Sequence, residues 1–366
     1  MIPLYRPPRR AFGERPYVAP VDETMFRAVV YLCEAREIAE ATQSVPVGTG
    51  FIVAVDQEGV TLGQIVTARH VIENTSAVSV RLNTDAGTRD IPTEREDWYV
   101  SETADVAALP LFGPKSPLLR HRVQWSQAYV AIGFGLFVDA DYVYRGPALL
   151  GAVQPGVHVG ADLAYVGLFH LSPGQDENRP VARFGSIARM PSELVSLPRT
   201  PIDRFKAVVY LVETRSWGGH SGSPVFWQYE FATLHPAPGG AGLVQQPQHS
   251  HLLIGLLSGH FDEHNKTIQP SVPKAERGAD LLADVRVRQN TGMAYVTPAE
   301  AIRELLMRAD VVEDRSKAVA ALPENPDGGP TMDTVEAASE FENFENLTGR
   351  LLRVPKKELE DKLKES

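Results

Sequence analysis

From Met25 onward the chain alternates short apolar runs with clusters of turn residues. Phe26 to Cys33, Gly50 to Val55, Gln64 to Ala68, Ala77 to Leu82 and Val106 to Leu111 each have the length and residue types of a strand. A second series follows the Pro/Gly-rich stretch around Gly151 to Gly160: Leu163 to Leu168, Val181 to Ile187, Ala207 to Glu213, Pro224 to Trp227, Leu252 to Leu257 and Gly292 to Val296. Many short strands at this spacing predict an all-β fold built from barrels. The periodicity then changes. Ile302, Leu305 and Leu306 recur at helical spacing, with Thr297 placed to cap the helix, Pro298 in its first turn and Glu300 as the acid of a capping box.

The pattern also predicts the domain layout. Residues 1–20 are rich in Pro and Arg and lack periodicity, which predicts an extended arm; its four arginines are either solvated or touch an acidic partner. Residues 21–150 and 151–310 hold the two strand series, the second closing with the helix. Residues 311–345 carry nine acidic and two basic residues around a cluster of Pro and Gly, and read as a flexible acidic linker. Residues 346–366 complete an amphipathic tail begun by Phe341 and Phe344, with Leu347, Leu351, Leu359 and Leu363 at helical intervals. That tail either docks back on the barrels or binds a partner protein.

Composition narrows the setting. A net charge of −10 argues against nucleic acid as the main partner. Cys33 is the single cysteine, so no intrachain disulfide forms; within the run Val29–Cys33 it reads as a small buried hydrophobe. No apolar leader opens the sequence and no run reaches membrane-span length. These features predict a cytoplasmic protein that needs no membrane.

Three segments carry candidate chemistry. Gly218-Gly219-His220-Ser221-Gly222-Ser223-Pro224 places a serine at a glycine-lined turn, where backbone N–H groups can approach a reacting oxygen. Ile65 to Ile72 is an apolar strand ending in His70, and Asp105 opens the apolar run Val106–Leu109. Each has a bland alternative: a β-turn, a structural histidine, a capping aspartate. Asp90 and Asp97 compete with Asp105, but neither precedes an apolar run.

With "VGTGFIVAV", "IVTARHVI", "DVAALPL", "GGHSGSPVF", "LIGLLSGHFD" and "GMAYVTPAEAI" in this order, the chain resembles bacterial trypsin-like serine peptidases of the chymotrypsin superfamily. The resemblance implies two packed six-stranded antiparallel β-barrels. It also implies serine endopeptidase activity on polypeptides through an acyl-enzyme, with His70 as base, Asp105 as orienter and Ser221 as nucleophile. The N–H groups of Gly219 and Ser221 would form the oxyanion hole. Ser258, Gly259 and His260 would pair with the substrate backbone, and no cofactor is implied. Arg215 stands where the family often places the base of the specificity pocket, though a surface arginine is an equal reading. His220 occupies the position of an aspartate that, in digestive relatives, pairs with a newly cut N-terminus. Activation without such a cut follows from that departure.

His249, His251, His260, His264 and Asp262 match no established metal-site spacing, and 236–248 reads as an inserted loop. A different class remains open: a weakly active or inactive protease-fold scaffold that binds a partner protein.

Overall fold

The structure, a computed structural model, describes residues 21, 23–38, 41–75, 78–123, 129–141, 156–198, 204–214, 216, 218–236, 243–265 and 287–322. The fold is mostly β, with few helices. A short helix α1 (Glu23–Arg27) precedes the first sheet. Its strands are β1 (Val29–Ile38), β2 (Ala41–Gln57), β3 (Val60–Thr67), β4 (Val78–Thr84), β5 (Gly87–Pro92), β6 (Tyr99–Val100), β7 (Ala107–Pro110) and β8 (Ile132–Gly133). Their order is β5-β4-β1-β2-β3-β7-β6, with β8 added parallel to β2. A single-turn helix α2 (Arg69–Glu73) follows β3, and α3 (Pro117–Arg120) follows β7.

The second unit is a closed barrel. It runs β10-β13-β16-β15-β14-β9 and is built from β9 (Asp162–Gly167), β10 (Val181–Arg189), β13 (Tyr210–Glu213), β14 (Pro224–Pro236), β15 (Leu243–Asn265) and β16 (Val287–Pro298). β11 (Leu194–Pro198) and β12 (Arg204–Val208) form a separate hairpin. The run Ala207–Glu213 is therefore two strands, broken at Val209, which is buried against Leu197 of β11 and Tyr295 of β16.

One apolar cluster spans the boundary between the units. Phe51, Ile65, Val66 and Leu109 of the first sheet are buried with Val166, Phe226, Leu253 and Leu256 of the barrel. Each fully buried Leu, Ile or Phe contributes roughly 1.5–3 kcal/mol, so this shared cluster holds the first sheet against the barrel. Residues 129–141 stitch the units further. β8 pairs with β2, and the N–H of Val138 donates to the Leu253 carbonyl at 3.0 Å. The long connection between the strand series is thus partly a strap across both sheets.

Three expectations need correction. First, the helix α4 (Ala299–Leu306) carries no capping box. Its N-cap is Pro298, with no side-chain cap. The Thr297 hydroxyl bonds that of Ser258 at 2.6 Å, and the Glu300 carboxylate accepts from the N–H of Ala140 at 2.7 Å. Tertiary partners outcompete the local ones. Second, residues 311–320 are not linker; with Ala309 and Asp310 they form α5 (Ala309–Ala320). Val311 and Arg315 are fully buried on one face. The acids that suggested a solvated segment are paired instead: Asp314 accepts from the Tyr99 hydroxyl at 2.7 Å and meets Lys115 at 3.3 Å, and Glu313 meets Lys317 at 2.7 Å. Third, residues 236 and 243–248 belong to the paired strands β14 and β15, so the histidine-bearing segment is a long hairpin. The arm 1–20 and the segment 323–366, with the tail, lie outside the described residues.

Candidate active site

The first half of the site follows from where β3 and β7 end. β3 stops at Thr67, Ala68 is extended, and the chain turns into α2 with His70 at its second position. Asp105 lies in the turn between β6 and β7, the strand that pairs with β3. The pairing brings the aspartate to the histidine. The His70 Nδ1 stands 2.8 Å from Asp105 Oδ2, and the His70 backbone N–H donates to Asp105 Oδ1 at 2.9 Å. One carboxylate therefore fixes both the ring and the main chain. With the proton on Nδ1, the neutral ring leaves Nε2 as its acceptor. The Arg69 guanidinium steadies the turn by donating to the Ser101 carbonyl at 2.9 Å and pairing with Glu73 at 3.2 Å.

Electrostatics follow this geometry. Burial pushes the His70 pKa down, but the charge and hydrogen bond of Asp105 outweigh it, and the net shift is upward. Burial pushes the Asp105 carboxyl up; His70, with the nearby Ser258 hydroxyl, more than offsets this, and the net shift is downward. The Asp105 side chain is 11% exposed and that of His70 is 37% exposed, so the carboxylate is shielded while the ring reaches solvent.

The second half is a backbone device. The Ser221 carbonyl accepts from the N–H of Thr49 at 2.9 Å, and the Gly219 carbonyl accepts from the Thr49 hydroxyl at 2.7 Å. That hydroxyl also accepts from the N–H of Leu168 at 2.9 Å, and the Thr67 hydroxyl donates to the Thr49 carbonyl at 2.7 Å. Thr49, fully buried on β2, thus ties the serine loop to the strand end that leads into His70. Gly222 is needed at this contact. It has φ +88°, and a Cβ there would lie 2.0 Å from the Thr49 carbonyl oxygen. The N–H of Gly222 donates to the Leu257 carbonyl and that of Ser223 to the His220 carbonyl. Those of Gly219 and Ser221 donate to nothing among the described residues. No hydrogen bond joins Ser221 to His70 among them either.

His220 is fully buried. Its Nε2 lies 3.2 Å from Nε of Arg183, which donates, so the ring is held neutral at that nitrogen; the edge of Tyr165 packs against it with centroids 5.6 Å apart.

The remaining sequence candidates divide. Ser258 is buried, its hydroxyl bonded to that of Thr297 and close enough to Asp105 to help hold that carboxyl low. Gly259 packs on Tyr295, whose hydroxyl would stand 2.4 Å from an added Cβ. Gly259 and His260 pair with Tyr295 and Ala294 of β16. Arg215 lies outside the described residues. The competing aspartates are committed elsewhere: Asp90 to Arg81 at 2.7 Å, Asp97 to Arg120 at 2.6 Å. Sequence reasoning missed Thr49 and Arg183. The flanking Gly48 and Gly50, where an added Cβ would meet the Val71 and Ile65 side chains at 2.6 and 3.0 Å, marked a crowded stretch around Thr49; Arg183, in a strand of ordinary composition, had no such signal.

No known family's sequence profile matches the chain, and no curated protein matches it. Among solved structures, the MamO protease domain from Magnetospirillum magneticum is 14% identical, covering 77% of this chain and 97% of that one, with a TM-score of 0.39. The active form of the Rv3671c protease from M. tuberculosis is 16% identical, covering 87% and 96%, with a TM-score of 0.35. Human heparin binding protein is 8% identical, covering 84% and 97%, with a TM-score of 0.38. Likeness at this level transfers no residue role to this chain.

Proposed function

We propose that the protein is a serine endopeptidase. Ser221 attacks the scissile carbonyl, His70 takes its proton through Nε2 and returns it to the leaving amine, and Asp105 holds the ring and stabilises its charged form. The oxyanion that forms is received by the N–H groups of Gly219 and Ser221. The observation that carries this reading is the double grip of Asp105 on His70, beside a serine loop with two uncommitted N–H donors. An extended peptide substrate would add as a strand along β15 at Ser258, Gly259 and His260. Buried His220, held by Arg183, supports a site assembled without N-terminal cutting.

The absent hydrogen bond between Ser221 and His70 favours a second reading, a protease-fold scaffold with little turnover. Apo sites often tighten only with substrate bound, so the geometry is compatible with catalysis. Incubating a diverse peptide library with wild type and Ser221→Ala, with mass-spectrometric readout, decides between them. Cleavage by wild type alone supports the peptidase. No cleavage by either leaves the scaffold.

A further inference from the structure

The loop that carries Ser221 is held at every carbonyl from Gly218 to Ser221. Thr49 holds two of them, Gly219 and Ser221, and the N–H of Ser223 holds His220 at 3.0 Å. The fourth tie is different. The Gly218 carbonyl accepts from Nδ1 of His170, 3.0 Å away, on an exposed side chain just beyond β9. The peptide it holds has little else to fix it. It joins two glycines, a Cβ at Gly218 would meet nothing within 4 Å, and Gly219 sits at φ +94°. In a trans peptide the C=O and N–H point to opposite sides. Drawing the Gly218 carbonyl toward His170 therefore aims the Gly219 N–H the other way, where it donates to no described group.

We propose that His170 is a positioning residue that locks the Gly218–Gly219 peptide with its N–H presented to the substrate oxyanion. The role rests on the serine-peptidase reading of the same loop. His170 does not touch the reacting atoms; it acts through the peptide it holds. The lock has a wall behind it. The His170 ring meets Phe169 edge-on at 6.2 Å between centroids, and the Arg183 guanidinium lies 5.6 Å from the Phe169 ring while its Nε bonds His220. Arg183 thus reaches both sides of the loop, through Phe169 beside His170 and through His220 next to Ser221. A carbonyl oxygen can only accept, so Nδ1 carries the proton in this tie.

The test compares His170→Ala with His170→Asn, whose amide nitrogen offers a donor near the place of Nδ1. In His170→Ala, kcat on a peptide ester falls about 10- to 100-fold, less than deleting an oxyanion donor outright, with KM little changed. The melting temperature stays at the wild-type value because the side chain is exposed. His170→Asn recovers most of the rate. The Gly219 amide resonance in ¹⁵N-labelled full-length protein moves or broadens in His170→Ala and returns toward its wild-type position in His170→Asn. An unmoved Gly219 amide, or a His170→Ala enzyme as fast as wild type, overturns the inference. Failure of wild type to react with a fluorophosphonate overturns the peptidase reading and with it the catalytic role; the amide resonance still decides whether His170 holds the peptide.

Discussion

The two halves of the candidate site are fixed by different means. His70 and Asp105 are held side chain to side chain and side chain to backbone, through a carboxylate only 11% exposed. The Ser221 loop is held almost wholly by its own carbonyls, through Thr49, Ser223 and His170. A side-chain constellation tolerates changes of backbone shape but not of chemistry. A backbone cradle tolerates many side chains but not a lost glycine. The first half should therefore fail in rate, and the glycine seat of the second on Thr49 in assembly.

The largest effect is expected from Asp105→Asn. An amide keeps the shape but cannot hold the Nδ1–H tautomer as a carboxylate does, and equivalent changes in triads cost on the order of 10⁴ in kcat. Steady-state kinetics on any cleaved peptide, beside an unchanged circular dichroism spectrum, checks it. Retention of more than a tenth of the rate would break the contrast. A smaller, different effect is expected from Gly222→Ala. The left-handed φ alone costs about 1–3 kcal/mol, and the added Cβ displaces the Thr49 carbonyl besides. Chemical denaturation should show this loss of stability; a variant as stable as wild type would mean the loop is not seated on β2 as described.

The same contrast explains what was legible in the sequence. Most strands were visible because they leave short apolar runs bounded by turn residues, and His70 and Asp105 were visible because one follows and the other opens such a run. The Ser221 turn announced itself through Gly219 and Gly222, which stand at positive φ. Thr49, Arg183 and His170 were not visible, because each acts across the fold: Thr49 bonds Gly219 across 170 positions, and Arg183 reaches His220 across 37. The misreading of 311–320 has the same root. Acidic composition predicts solvation, but Tyr99 and Lys115, some two hundred residues earlier, supply the partners that make it a helix. Likewise Thr297 was read as a cap from its neighbours, while its hydroxyl answers to Ser258.

The central claim is that the two halves act together, His70 activating Ser221. The most direct test is the rate of fluorophosphonate modification of Ser221 against pH, in wild type and in His70→Ala, read by intact mass. His70 must be neutral to accept a proton, and Asp105 raises its pKa above the ordinary 6.5, so the wild-type rate should climb with pH through a midpoint above 6.5. Asp105, held low, stays ionised throughout. His70→Ala should lose both the rate and the titration. Equal labelling of the two proteins, or no labelling of wild type at any pH, would contradict the account.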